Sequence, residues 1–150
     1  MKTRIPFSTN PEMAVSKNPA PTTASSGLRV LVTATDSRNR RELVNTLVRC
    51  GLQPIPLSTV TESRQLMAQQ PVSLVLCEEM LADGSYREIL CEMGSIATKV
   101  PVIVVSRLAD WDRYLEAMRW GAFDYLAYPC RPTEMESIVG SALNSAPLFP

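Results

Sequence analysis

The sequence predicts an α/β fold, a doubly wound sheet of five parallel strands with helices on both faces. From Leu28 onward, short apolar runs alternate with longer segments of helical periodicity, which is the pattern of successive strand and helix units. Two of the runs, Leu74–Cys77 and Val102–Val105, are apolar throughout, as expected of strands that helices cover on both faces. With 45% hydrophobic residues, a chain of 150 residues can bury one such core. We expect the spatial strand order 2-1-3-4-5.

The first strand and helix have clear start and stop signals. The strand covers residues 29 to about 34. Asp36 or Ser37 follows as the N-cap of a helix, because short polar side chains accept hydrogen bonds from the first free amides. The helix extends through Cys50 and ends at Gly51, a residue type that tolerates the left-handed conformation found after helices.

The second strand is predicted at an edge of the sheet. It covers Gln53–Leu57 and contains Pro54 and Pro56, which have no backbone N–H to donate to a neighbouring strand. A helix starts after it at Thr59 or Thr61 and ends before the next apolar run.

The second half of the chain continues the alternation. Its predicted elements are a strand over 73–77, a helix over 85–93, a strand over 102–105, a helix over 111–120, a strand over 123–127 and a helix that ends near 144. An acidic loop follows the third strand. Asp110 is the predicted N-cap of the fourth helix, and Gly121 ends it. Thr133, with Glu136 three residues later, predicts a capping box at the start of the last helix.

The folded domain is predicted over residues 28–146. Residues 1–27 contain four prolines among serine, threonine and asparagine and lack apolar periodicity, so we expect a disordered arm. We predict a short tail over residues 147–150 and therefore expect no output domain after the last helix. No signal peptide is predicted, because polar residues and prolines follow the first basic residues, and every apolar run is too short to span a membrane.

The composition excludes several kinds of function. Lysine plus arginine and aspartate plus glutamate number 15 each, so the chain lacks the positive charge that drives direct binding to nucleic acid. The chain has no histidine, which removes catalytic triads, the usual zinc sites and histidine phosphotransfer by this chain. The four cysteines form no CxxC pair, which favours reduced thiols and a cytoplasmic location.

Three side chains stand at the carboxyl ends of predicted strands: Glu78, Ser106 and Tyr128. In a parallel α/β sheet these ends meet at one edge, where ligands bind. A carboxylate, a hydroxyl and a cation at this edge would make a phosphoryl-transfer site, but the third residue here is a tyrosine. The sequence therefore predicts the scaffold of a phosphate-dependent switch with parts of its chemistry replaced.

Three motifs resemble those of the receiver domains of bacterial two-component response regulators, and they occur in the same order. Leu74–Ser85 resembles the phosphoacceptor strand and the loop after it. Val100–Ser106 is similar to the strand that ends in the switch serine or threonine. Gly121–Pro129 is similar to the signature GAxDYLxKP with its lysine replaced. The resemblance covers residues 29 to about 143 and implies the receiver fold.

In that family, two acidic residues at the end of the first strand and the acceptor aspartate hold a magnesium ion. The resemblance places Ala34 and Thr35 at the acidic pair, with Asp36 one step further along, and Glu78 at the phosphoacceptor position. Tyr128 stands where the family has the lysine that pairs with the phosphoryl group. Because magnesium requires near-octahedral oxygen ligands, we expect magnesium binding to be lost and no other cofactor to be bound.

The resemblance identifies Ser106 as the switch hydroxyl and Tyr125 as the rotating aromatic residue. Arg107 stands where the family usually has a small residue. One interpretation is a locked pocket, in which Glu78 replaces phosphoaspartate and Arg107 supplies the counter-charge. Glu78 would then accept hydrogen bonds from Ser106 or Arg107 and hold Tyr125 inward. The alternative is that selection on the pocket has lapsed and Arg107 points into solvent.

Three functions remain open. The first, which we favour, is a protein-interaction module of two-component phosphorelay signalling that is not an enzyme and does not depend on phosphorylation. It would contact a kinase or an output protein through the fourth helix, fifth strand and fifth helix, or pair with a second copy of itself. The second is an active receiver that accepts phosphate on Asp36 or Asp83. The third is a flavodoxin-like small-molecule binder, although the sequence has no Gly-rich phosphate loop.

Two further predictions concern the tryptophans of the fourth helix and the peptide bond before Pro129. Trp111 and Trp120, at opposite ends of the fourth helix, are either core anchors or part of a partner surface. The resemblance also implies a cis peptide bond between Tyr128 and Pro129, an isomer that is common only before proline.

Overall fold

The structure, a computed structural model, describes residues 28–94, 100–108 and 110–145. The predicted arm, residues 1–27, and the predicted tail, residues 147–150, lie outside these ranges. The strands of the main sheet are β1 (Arg29–Thr33), β2 (Gln53–Leu57), β3 (Leu74–Glu78), β4 (Val102–Ser106) and β5 (Asp124–Ala127). The helices are α1 (Ser37–Arg49), α2 (Val60–Gln69), α3 (Tyr86–Gly94), α4 (Trp111–Trp120) and α5 (Pro132–Ser145).

The strand order is β2-β1-β3-β4-β5, and each pair of neighbouring strands is parallel. The predicted α/β sheet and its order are therefore confirmed. β2 lies at one edge, where Pro54 is opposite Val30 and Pro56 is opposite Val32. An edge strand has a neighbour on one side only, so it can carry residues that have no N–H to donate.

Helices cover both faces of the sheet, and each face has its own hydrophobic cluster. Alternate strand residues point to opposite faces, so Val30 and Val32 join one cluster while Leu31 joins the other. The first cluster includes Leu43 of α1 and Met135 of α5. The second includes buried residues of α2, α3 and α4. Because the central strands are covered on both sides, they need apolar residues at every position, as the continuous runs predicted.

The caps predicted for α1 and α4 are confirmed. Asp36 caps α1 and accepts a hydrogen bond from the amide of Asn39 at 3.0 Å. Asp110 caps α4 in the same way, and Gly121 follows this helix with a φ of 101°. That left-handed conformation strains residues that carry a Cβ atom, so a glycine is suited to the position.

The capping box predicted from Thr133 and Glu136 is wrong. α5 begins at Pro132, so Thr133 already lies in its first turn, and the amide of Met135 donates to the carbonyl of Arg131. Proline suits the first helical position, because its φ is fixed near the helical value and it has no N–H to leave unpaired.

A small hairpin separates β3 from α3, where the sequence predicted only an acidic loop. Met80–Leu81 pairs antiparallel with Gly84–Ser85. Asp83, in the turn between them, accepts hydrogen bonds from the amides of Val60 at 2.7 Å and Thr61 at 3.1 Å. The hairpin is therefore tied to the start of α2.

Both tryptophans of α4 are exposed. Trp111 retains 69% of its accessible surface and Trp120 retains 45%. Of the two interpretations of these residues, the core-anchor one is therefore wrong. Within the described ranges, no helix has both the length and the apolar character that crossing a membrane requires.

Candidate functional site

The carboxyl ends of the central strands border an open cavity of about 320 Å³. Its lining includes four predicted site residues, Asp36, Glu78, Ser106 and Arg107, together with Asn39 and Glu79, which were not among the predicted site residues. Glu78 and Ser106 are the last residues of β3 and β4, one residue further along than the predicted strand ends. The parallel strands therefore bring a carboxylate and a hydroxyl to the same edge.

Glu78 accepts hydrogen bonds from the segment that starts α1. Its Oε1 accepts from the backbone N–H of Thr35 at 2.9 Å, and its Oε2 accepts from Nδ2 of Asn39 at 2.8 Å. The locked-pocket interpretation predicted Ser106 or Arg107 as the donors, and that prediction is wrong. The reason is local, since the Asp36 cap orients the first turn of α1 so that the Asn39 amide meets the end of β3.

Arg107 is connected to Glu78 through Asn39. The guanidinium donates to Oδ1 of Asn39, while Nδ2 of the same amide donates to Glu78. The Arg107 guanidinium also lies over the ring of Tyr128, 5.0 Å from the ring centre, a distance typical of a cation–π contact. Arg107 therefore belongs to the pocket, although it makes its contacts through an amide and a ring.

Tyr128, which the resemblance predicts at the position of the family's lysine, is buried and bonds to a residue other than Glu78. Its hydroxyl donates to Glu42 of α1. Burial raises the pKa of Tyr128, and the Glu42 carboxylate acts in the same direction, so the ring is neutral at physiological pH. The peptide bond between Tyr128 and Pro129 is cis, as expected.

Of the two residues predicted at the family's acidic pair, Ala34 packs in the core, and the Thr35 hydroxyl bonds to the backbone. Ala34 is fully buried. The Thr35 hydroxyl donates to the carbonyl of Ser58 at 2.7 Å and accepts from the amide of Ala82 at 2.8 Å, so it joins the segments that follow β1, β2 and β3. Asp36 is a helix cap, and the hydrogen bond from the Asn39 amide lowers the pKa of its carboxyl group.

These residues do not fit a magnesium ion. Both oxygens of Glu78 already accept hydrogen bonds from protein donors, and the Asp36 carboxylate caps α1. Ala34 offers no side-chain oxygen. Within residues 28–94, 100–108 and 110–145, no group of three or more histidine, cysteine, aspartate or glutamate side chains could hold a metal ion. Magnesium requires several oxygen ligands in near-octahedral geometry, which this arrangement does not provide.

Tyr125 is held by Glu79 and not by the predicted Glu78. The ring is buried, with 7% of its surface exposed, and its hydroxyl donates to Oε1 of Glu79 at 2.8 Å. Arg113 of α4 donates to Oε2 of the same carboxylate at 2.8 Å. Ser106 lies nearby, and its Oγ accepts from the amide of Leu108 at 3.0 Å, which stabilises the turn after β4.

Strand alternation explains why the two adjacent glutamates differ. Leu76 of β3 belongs to the cluster under α1 and α5, and Cys77 belongs to the cluster under α2, α3 and α4. Continuing this alternation points Glu78 toward α1 and Glu79 toward α4. The alternation of side chains along the apolar run was therefore the sequence signal that could have placed Glu79, and not Glu78, on the face of Tyr125.

Asn39 also had a signal in the sequence. It occupies the first position of a stripe at four-residue spacing that continues with Leu43 and Leu47, and all three residues are buried in α1. A polar residue on a buried stripe requires hydrogen-bond partners, because burying an unpaired amide is costly. Asn39 finds its partners in Glu78 and Arg107.

Asp83, the second candidate for an alternative acceptor, is bonded to α2. It accepts from the amides of Val60 and Thr61 and from the Thr61 hydroxyl at 2.9 Å. The Val60 amide makes the largest contribution to a lowered pKa of the Asp83 carboxyl group.

We expect Asp83→Ala to lower the free energy of unfolding at neutral pH and to remove part of its dependence on acid. Because the pKa of Asp83 is lower in the folded state, its contribution is complete above the ordinary value of 3.8 and is lost as the pH falls through the folded-state value. Urea unfolding from neutral pH to about pH 2 should therefore show a difference between the two proteins that shrinks with acidity. Asp112→Ala, at an exposed position in α4, is the control. A difference that stays constant with pH would contradict this prediction.

Comparison with known proteins places the chain among bacterial regulators, although no family model matches it. The response regulator protein PilR of Pseudomonas aeruginosa is 30% identical over 110 residues, which are 73% of this chain and 25% of PilR. The regulatory protein AtoC of Escherichia coli is 29% identical over 116 residues, which are 77% of this chain and 25% of AtoC. The chain thus spans about a quarter of the length of these relatives.

A solved structure shows the same fold. The response regulator receiver domain protein from Clostridium thermocellum matches with a TM-score of 0.71 at 24% sequence identity. The match covers 78% of this chain and 94% of the other. The five-stranded parallel sheet and its strand order agree with this likeness.

Proposed function

Because this chain is a receiver domain of the response-regulator family, we propose that it serves two-component signalling as a protein-interaction module whose state does not depend on phosphorylation. In this role Glu78 occupies the phosphoacceptor position and is held by the protein itself. The module acts in the cytoplasm, has no enzymatic activity of its own, binds neither nucleic acid nor magnesium, and transmits its signal by contact.

The observation that carries the proposal is that protein donors already bond to both carboxylate oxygens of Glu78. Its two oxygens accept from Thr35 and Asn39, at the place where a phosphoryl group and a metal ion would need to bind. Phosphoryl transfer depends on positioned positive charge, and the charge of Arg107 is engaged with Asn39 and the Tyr128 ring. The alternative acceptors, Asp36 and Asp83, receive no support, since each carboxylate already accepts a hydrogen bond from an amide at the start of a helix.

The partner surface that we propose is formed by α4, β5 and α5. α4 exposes Trp111 and Trp120, and large aromatic residues are frequent among the side chains that contribute most to protein association. The partner is a signalling protein, either a kinase or an output protein, or a second copy of the chain.

Partner capture tests the proposal. The full chain, immobilised and incubated either with or without magnesium and acetyl phosphate, should retain the same partner from native cytosol in the same amount. Trp111→Ala should reduce the retained amount about tenfold or more, as expected for an aromatic anchor. Val48→Ala, which shortens an exposed apolar residue of α1, is the matched control and should have no effect. Retention that appears only after acetyl phosphate treatment would overturn the proposal.

A further inference from the structure

The Glu79 carboxylate joins three elements at the edge of the sheet. It follows β3 directly, and its amide donates to the carbonyl of Val105 in β4 at 2.9 Å, which fixes its backbone. Only 12% of its side chain is exposed. One oxygen accepts from the Tyr125 hydroxyl of β5 and the other from the Arg113 guanidinium of α4, each at 2.8 Å. Both oxygens are therefore engaged by groups that lie on separate elements.

The Tyr125 side chain reaches across β4 to make this contact. β5 pairs with β4, and β4 pairs with β3, so the hydroxyl spans one complete strand before it meets Glu79. The ring also meets Tyr114 of α4 edge to face, with 6.5 Å between the ring centres. Burial raises the pKa of Tyr125 to about 12, and Glu79 acts in the same direction, so the hydroxyl remains a donor at neutral pH.

We propose that Glu79, Tyr125 and Arg113 form a built-in latch, the Glu79 latch, that keeps the Tyr125 ring inward and the first turn of α4 against the sheet without a phosphoryl group. This inference rests on the proposed function, because it supplies the reason why the α4 and β5 surface keeps one conformation. Glu79 acts as a positioning residue. A latch of this kind shifts a conformational equilibrium only by contacts that one state makes and the other lacks, and the Tyr125 hydroxyl makes such a contact only when it is inward.

Charge complementarity makes the carboxylate well suited to the role. Arg113 also approaches Asp110, the cap of α4, at 3.5 Å, so the latch and the helix cap share one guanidinium. Glu79→Gln keeps an oxygen acceptor for Tyr125 but removes the ion pair with Arg113. Glu79→Ala removes both contacts, and Tyr125→Phe removes only the hydroxyl. The three variants therefore separate the parts of the latch.

The test measures the Tyr125 ring and the start of α4 in the full chain by NMR. Wild-type protein should show one inward ring conformation, with cross-peaks between the rings of Tyr125 and Tyr114. Glu79→Ala should average the side-chain couplings of Tyr125 and accelerate amide exchange at Tyr114 about tenfold or more. Glu79→Gln should have an intermediate effect. Glu116→Gln, which alters the ion pair of α4 with Arg87, is the matched control and should leave the ring inward.

An inward ring and unchanged exchange in Glu79→Ala would overturn the latch, because packing and the hydrogen bond with Ser106 would then be enough to hold Tyr125. If Glu79→Ala does not fold, Tyr125→Phe decides the matter: faster exchange at Tyr114 supports the latch, and unchanged exchange rejects it. The measurement uses neither a partner nor a phosphate donor. A failed latch therefore leaves partner capture unaffected, and a phosphate-dependent capture leaves the ring measurement unaffected, so the two proposals can fail separately.

Discussion

The double variant Glu78→Gln/Asn39→Asp should recover the stability that each of the two single substitutions removes. Glu78→Gln replaces one of the two carboxylate oxygens by an NH2 group. This group must face either the Thr35 amide or Nδ2 of Asn39, and both of these are hydrogen-bond donors. Asn39 cannot turn over to compensate, because its Oδ1 accepts from Arg107. We expect a loss of about 1–2 kcal/mol in the free energy of unfolding, the usual scale for a hydrogen bond to a half-buried charged group.

Asn39→Asp should be destabilising for the complementary reason. It places a second carboxylate against Glu78, where an amide donated before, and we expect a similar loss of about 1–2 kcal/mol. In the double variant, the new amide at position 78 would accept from Thr35 and donate to the new carboxylate at position 39, which in turn would accept from Arg107. All groups are then paired, and the negative charge is adjacent to the arginine.

Chemical unfolding of the four proteins in this cycle measures the coupling. The double variant should lie within about 0.5 kcal/mol of the wild type, far from the sum of the two single losses. Glu92→Gln, on α3 and paired with Arg64, is the control and should not couple to Asn39→Asp. Additive losses in the cycle would mean that the hydrogen bonds between Glu78, Asn39 and Arg107 do not act as one unit.

Incubation with magnesium and acetyl phosphate should leave the intact mass of the protein unchanged. Glu78, which we predict at the acceptor position, already accepts hydrogen bonds from two protein donors, and Tyr128, which we predict at the lysine position, is neutral and buried. Because phosphoryl transfer relies on positioned charge, we expect the rate to fall by several orders of magnitude relative to a receiver domain that retains the acidic pair and the lysine. Such a domain, treated in parallel, is the positive control.

A gain of one phosphoryl group that is lost on mild base treatment would contradict this prediction. The same measurement on Asp36→Asn and Asp83→Asn would then identify the acceptor, since only the variant of the modified residue would resist labelling. An unchanged mass in the chain and a labelled control would exclude the active-receiver alternative.

The fold was predictable because its signals are local. Buried parallel strands require continuous apolar runs, and polar caps such as Asp36 and Asp110 mark helix starts before any tertiary contact is considered. The hairpin at Met80–Leu81 was not predicted, since strands of two residues have no periodicity. The start of α5 was missed because Thr133 and Glu136 fit a capping box while Pro132 fits a first helical position, and tertiary structure selects between them.

The sequence predicted where the site lies but not which of its side chains hydrogen-bond to one another. The sequence predicted Glu78, Ser106 and Tyr128 at one edge. The structure places Glu78 and Ser106 around one cavity together with Arg107, whereas Tyr128 is not among the residues that line it. Which groups bond depends on how side chains on α1 and α4 meet that edge, and a single sequence does not specify those distances. The faces that Asn39 and Glu79 occupy could be read from the periodicity of the helix and the strand, but their hydrogen-bond partners could not.

The Thr35 hydroxyl has a consequence for how this pocket could change over evolution. It donates to the Ser58 carbonyl and accepts from the Ala82 amide, so it holds two neighbouring loops to the end of β1. Thr35→Asp would set a carboxylate against the Ser58 carbonyl, where two acceptors repel and no proton lies between them. Any evolutionary route toward a metal site that began at this position would therefore pass through a less stable domain.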